Sequence, residues 1–239
     1  MKVTLLNLTE NPVEAIENAA SVCYDSIPTG GAIMRHCYKS GHRSVLEFAD
    51  FTFKIEGVSR ALLAQITRHR ISSFAVRSQR YCDEDGFVYV IPPSIADNEE
   101  ALLIFTQCMD TCSNTYEKLK ELGISNEDAR FVLPNACATT IVFKCNGRQL
   151  INSSNERLCK RAQWEIRECF KKMKKCVSEH NEQCKEFSKM LVPKCYINPD
   201  MPFCTETCEC DIAPKLRDVY NVYKNDLKNK EVESFNNKI

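Results

Sequence analysis

The 239-residue chain is poor in glycine, with seven, and has a single tryptophan. No Gly-x-Gly-x-x-Gly run and no phosphate-loop motif occurs, which excludes a glycine-rich cradle for a dinucleotide or triphosphate. A nucleotide bound here must be held by arginine side chains and helix ends. No stretch approaches the ~20 apolar residues that a membrane-spanning helix needs. Met1–Asn11 has only a short apolar run, Val3–Leu8, broken by Thr4 and Asn7. The expectation is a cytoplasmic protein with no export signal and no membrane partner. Charge of one sign is also lacking: 32 basic residues face 32 acidic ones. Bulk charge therefore gives no reason to expect nucleic acid as a partner.

Cysteine is plentiful instead, at fifteen, an odd count that suits free thiols in a reducing compartment. Cys108, Cys112, Cys169 and Cys176 fall in helical patterns and read as small buried hydrophobes. Cys195, Cys204, Cys208 and Cys210 lie in a stretch with several prolines. Their spacing is irregular for a structural zinc site, so no metal is expected. The change of composition at Pro193 divides the chain into a main domain, residues 1–191, and a loosely packed Cys-rich tail with a polar helix, residues 192–239.

The charge is unevenly spread. Gly57–Cys82 holds five arginines and no acid, and Lys144–Lys175 has a local balance of +7. Such segments suit a small anionic ligand as well as solvated faces. Hydrophobic patterning predicts strands at Val3–Asn7, Phe48–Ile55, Phe87–Ile91 and Thr139–Lys144. Helices are predicted at Pro12–Cys23, capped by Asn11, at Ala32–Lys39, from Ser59 to about His69, at Asn98–Leu122, at Asn146–Cys159, and as one long run over Ala162–Leu191. A short helix after Ser125 starts at a variant capping box, with Asp128 in place of the usual Glu. Arg70–Tyr81 has no clean period and reads as an ordered loop. The class is α+β, a mixed sheet with long helices, without regular βαβ alternation.

The chemistry concentrates in Arg68-His69-Arg70, followed after seven intervening residues by Ser78-Gln79-Arg80. On a continuous helix, Gln65, Arg68 and His69 share one face, opposite Leu62, Leu63 and Ile66. Arg70, Arg77 and Arg80 could converge on the same place, and guanidinium forks suit phosphates and the carbonyl oxygens of a pyrimidine or flavin. A basic helix end bridged to acids elsewhere fits the same pattern. The Arg-His-Arg-x7-Ser run resembles the signature of the flavin-dependent thymidylate synthases. So do Gly41-His42-Arg43-Ser44-Val45-Leu46-Glu47, Ala129-Arg130-Phe131-Val132-Leu133-Pro134, Asn146-Gly147-Arg148 with Asn152 and Arg157, and Ala162-Gln163-Trp164-Glu165-Ile166. Phe48 departs from the family's usual His, Val76 from a commonly polar or acidic residue, and Cys23 from a small hydroxyl residue.

The resemblance implies a thymidylate synthase-complementing-protein-like fold, a homotetramer with sites at subunit interfaces, and methylation of dUMP to dTMP. FAD would be the cofactor, with NADPH and methylenetetrahydrofolate as co-substrates. It implies flavin contacts from Ser44, Glu47, Arg68, His69, Arg70, Ile71, Val76, Asn146, Gly147, Arg148 and Asn152. For dUMP it implies Gln65, Arg68, Ser78, Gln79, Arg80, Arg130 and Arg157. Arg157 would activate the uracil ring by stabilising negative charge on N3 and O4, and His42 would face the flavin or folate. Ser78 reads as a phosphate-binding hydroxyl and not a nucleophile, because no base is evident beside it. Arg148 and Asn152 share a helix face, while Arg157, nine residues past Arg148, points to the opposite one. Other readings are a nucleotide- or RNA-binding module, for which Phe74 is the only aromatic residue between Arg68 and Arg80, and a flavoprotein without synthase activity.

Overall fold

A computed structural model describes residues 1–198, 202–206 and 210–224. The chain runs β1 (Lys2–Leu8), α1 (Pro12–Tyr24), α2 (Ala32–Lys39), β2 (Asp50–Ser59), α3 (Arg60–Ile66) and β3 (Ser72–Val76). It continues through α4 (Pro93–Ala96), α5 (Glu99–Glu121), α6 (Asn126–Ala129), β4 (Ala138–Asn146), α7 (Gly147–Arg157), α8 (Trp164–Ser178) and α9 (Glu182–Ser188). The strands form one sheet in the order β1-β2-β4-β3. Every pairing is antiparallel, so the expected mixed sheet is corrected. β2 and β3, joined through α3, run in the same direction, but β4 lies between them, so no two neighbouring strands are parallel.

Alternation along β2 and β4 builds the core. Phe51, Phe53 and Ile55 point inward from β2, and Ile141, Phe143 and Cys145 from β4. Against that face pack Ile166, Phe170 and Met173 of α8 and Phe187 of α9. The Phe51 and Phe187 rings stand 4.8 Å apart. A smaller cluster of Phe87, Met109 and Cys137 lies under α5. Elsewhere α5 leaves Leu103 and Ile104 exposed, at 60% and 61%.

Several local expectations change. The loop expected over Arg70–Tyr81 contains β3, which pairs with β4 from Ser72↔Cys145 to Val76↔Ile141. Five residues are too few to show a period, and an edge strand is recruited by its neighbour's free backbone groups. The strand expected at Phe87–Ile91 is only a bridge, Tyr89↔Cys137. The long helix over Ala162–Leu191 is broken at residues 179–181. There Asn181 accepts from Cys184 N–H at 2.8 Å and donates to Glu10 O at 2.8 Å, capping α9 while tying it to the start of the chain. Asn11 makes no side-chain cap to α1. Ser125 makes none to α6; its hydroxyl donates to the Asp128 carboxylate instead. Among the cysteines expected in the core, Cys169 is buried, Cys112 and Cys176 are half-buried, and Cys108 is exposed. Among the described residues, no helix is long and apolar enough to cross a membrane.

Candidate active site

The site begins with the way α3 is anchored. Ser59 caps it, its Oγ accepting from Leu62 N–H at 3.0 Å. The Ser59 N–H donates to Glu165 Oε1 at 2.7 Å, and its hydroxyl donates to Glu165 Oε2. Glu165, only 2% exposed at the start of α8, thus spends both carboxylate oxygens on holding the start of α3. α3 ends at Ile66, earlier than expected, and Arg68 and His69 lie beyond its last turn. They therefore do not share a helix face with Gln65. The backbone opens after Thr67, so Arg68 and Arg70 are exposed while His69 between them turns inward, 7% exposed, against the Phe170 ring.

Facing this segment is α7. Asn146 caps it by accepting from Gln149 N–H at 2.9 Å. Gly147 is required for close approach: a Cβ there would lie 2.7 Å from Leu46 O and 3.1 Å from the Phe187 ring. Between the two segments lies a cleft of about 670 Å³ lined by Arg68, His69, Arg70 and Ile71 on one side. Gln149, Asn152, Asn155, Glu156 and Arg157 line it from α7, and Lys194 from the chain beyond α9. Arg157 Nε donates to His69 Nε2 at 3.0 Å, and Arg157 Nη2 donates to Gln65 O at 3.2 Å. That bond makes Nε2 an acceptor and leaves the proton of the neutral ring on Nδ1. Burial, and then the Arg157 charge, push the His69 pKa below its ordinary value, with Glu156 opposing. Arg157 uses two of its five N–H donors in these bonds, leaving three for a ligand. Asn155 Oδ1, buried in the same wall, has no protein partner.

Other expected residues gather elsewhere. Arg148 pairs with Glu47 at 2.7 Å outside the cleft, in keeping with its placement opposite Arg157, while Asn152 joins Arg157 and not Arg148. Ser44 is exposed near Glu47, and Phe48 is 64% exposed. His42 lines a separate groove of about 660 Å³ together with His36 and Cys37. Ser78, Gln79, Arg80 and Arg130 form a third group. Arg80 pairs with Glu127, Arg130 Nε donates to Glu127 O at 3.0 Å, and Gln79 reaches Cys137 Sγ at 3.5 Å. Ser78 Oγ accepts from Arg80 N–H at 3.1 Å, a turn contact and not an activated nucleophile. Arg77 is drawn away to buried Glu84 at 3.1 Å. Burial pushes the Glu84 carboxyl upward, against the pull of Arg77 and Arg60. Arg70, Arg77 and Arg80 therefore do not converge, because β3 runs between them. At ~3.3 Å per residue, the six steps from Ile71 to Arg77 span roughly 20 Å.

Sequence reasoning missed Gln149, Asn155, Glu156 and Lys194 as cleft residues, and His36 in the groove. For the first three, a 3.6-residue count from Asn152 and Arg157 was a usable signal. Lys194 had none. Phe74 packs on Phe143 at 5.4 Å, so the aromatic residue an RNA-binding reading needs for stacking is committed to the core side of β3. Cys195, Cys204 and Cys210 share a small enclosed cavity with Cys159, which the sequence did not group with them; Cys208 lies outside the described residues. Among the described residues, no three His, Cys, Asp or Glu side chains stand in metal-holding geometry.

A cleft of guanidinium, imidazole and amide groups between an edge-strand entry and a helix, in a protein of α+β class, has the chemistry to suit an anionic ligand. The family described as thymidylate synthase complementing protein matches residues 4–181, and this chain belongs to it. A flavin-dependent thymidylate synthase of Clostridium tetani is 34% identical over 247 aligned positions, covering 92% of this chain and 97% of that protein. One of Geobacter sulfurreducens is 43% identical over 180, covering 70% and 78%. The crystal structure of thymidylate synthase X from Helicobacter pylori, solved with FAD and dUMP, superposes with a TM-score of 0.64. That likeness covers 80% of this chain and 99% of that one at 23% identity, and it speaks for the fold.

Proposed function

We propose that this chain is a flavin-dependent thymidylate synthase. It converts dUMP to dTMP, taking the methylene group from methylenetetrahydrofolate and the hydride from FAD reduced by NADPH. The observation that carries the reading is the meeting of Arg68, His69 and Arg70 with Asn152 and Arg157 around one cleft, in a chain of this family. The donor set fits the cofactor: guanidiniums for pyrophosphate, amides for ring carbonyls, and the unpartnered Asn155 Oδ1 for a ring or ribose N–H or O–H. FAD supplies hydride chemistry when bound. The chain's own residues orient and polarise. Arg157, held by His69 and the Gln65 carbonyl, presents its remaining donors to the uracil, where a fixed cation stabilises charge developing on N3 and O4. Because His69 is kept neutral, it does not repel Arg157. His42 faces flavin or folate from its groove, and Ser78, Gln79, Arg80 and Arg130 take the nucleotide phosphate.

The working assembly is a homotetramer whose sites combine neighbouring copies. Two features support this. The Arg68–Arg70 and Ser78–Arg80 groups stand at opposite ends of β3, too far apart for one nucleotide. Large apolar side chains also stand exposed around them, with Ile71 at 69% and Phe131 at 83%. The test is dTMP formation by purified protein from dUMP, methylenetetrahydrofolate and NADPH, with the flavin spectrum and solution mass recorded on the same sample. Product, bound flavin and a mass of four chains are expected. Neither flavin nor product after FAD is added would overturn the reading.

A further inference from the structure

The family match ends at residue 181, yet a cation from beyond it stands in the cleft. Lys194 opens a short 3-10 turn, Lys194–Tyr196, after Pro193. It lines the main cleft beside Arg157 and also an adjoining cleft of about 230 Å³ that contains Arg161 and Glu206. Its Nζ lies 2.8 Å from Glu206 Oε1, while the other Glu206 oxygen pairs with Arg161. The Glu206 carbonyl accepts from Lys215 Nζ at 3.1 Å. This is not a dangling end. Tyr196 OH donates to Ile212 O at 2.9 Å, Phe203 N–H to Cys195 O at 3.1 Å, and Cys204 N–H to Pro214 O at 2.7 Å.

The charge count makes the arrangement informative. One carboxylate, Glu206, is shared by two cations, Lys194 and Arg161, so the group keeps net positive charge. The cleft it borders already holds Arg68, Arg70 and Arg157 against the single carboxylate of Glu156. An exposed ion pair is weak, and a phosphate offers a doubly charged acceptor of better geometry. Resting on the synthase reading above, we propose that Lys194 is a further ligand-binding residue. It donates to a phosphate group of the bound nucleotide or flavin and is poised for it by Glu206. The chain beyond the family match thus completes the cleft.

The test uses the full-length protein with Lys194→Gln and Lys194→Arg. FAD affinity is measured by flavin fluorescence, and dUMP affinity by calorimetry on the flavin-loaded protein, each at low and high salt. Lys194→Gln is expected to weaken one of the two by roughly tenfold, the loss of one charge-assisted hydrogen bond. The salt dependence of that affinity should become shallower. Lys194→Arg should restore most of the affinity. A loss for FAD assigns the flavin pyrophosphate; a loss for dUMP assigns its 5′-phosphate. Unchanged affinity for both, or Lys194→Arg as weak as Lys194→Gln, overturns the proposal. Wild-type protein that binds neither ligand refutes the synthase reading itself, and this inference with it.

Discussion

Replacing Ser59 by alanine tests how the candidate site is held. Ser59 Oγ accepts from Leu62 N–H at 3.0 Å and donates to the buried carboxylate of Glu165. Losing the cap costs about 1 kcal/mol. Removing a donor from a buried charged acceptor costs about 1.5–3 kcal/mol more. The Ser59 N–H to Glu165 Oε1 bond survives, so the carboxylate keeps one partner. The expected loss is roughly 3 kcal/mol, a Tm drop of about 6–12 °C for a chain of this size. Ser59→Thr keeps the hydroxyl and should stay close to wild type. Urea unfolding at neutral pH gives the number. The double variant Ser59→Ala, Glu165→Gln should lose less than the sum of the singles, because the two side chains act as one unit. A loss under about 1 kcal/mol, or strict additivity, would refute the claim that Glu165 anchors α3 through this hydroxyl.

Gly147→Ala should destabilise by about 1–3 kcal/mol, read from the urea midpoint, because its Cβ meets a backbone carbonyl that cannot swing aside. Arg157→Ala should abolish dTMP formation while the flavin spectrum of the purified protein persists; retained turnover would remove the role assigned to it. His69 has a lowered folded pKa, so the unfolded chain binds its proton first as pH falls. Its contribution to stability is complete above the ordinary value of 6.5 and is lost as pH falls from there through the lower folded value. His69→Gln should therefore flatten the acid side of the stability profile below about pH 6.5.

Much of this protein was legible in its sequence, because the signals are local. Alternation in Phe51-Thr52-Phe53-Lys54-Ile55 set the inward face of β2, and the Ser59 cap marked the start of α3 correctly. Counting 100° per residue along α7 put Arg157 away from Arg148, as found. The Arg-His-Arg run and the motifs around it pointed to the family. What the sequence could not determine depended on partners far along the chain. β3 exists because β4 offers an open edge, and its five residues separate guanidiniums that a flexible loop would have let converge. His69 turned inward because Phe170 and Arg157 received it, where a longer helix would have left it beside Arg68. Lys194 reached the cleft only because the chain past α9 folds back over the end of α7. Local propensity decides which way a few residues bend. Long-range burial and pairing decide which charged groups meet, and here that meeting makes the site.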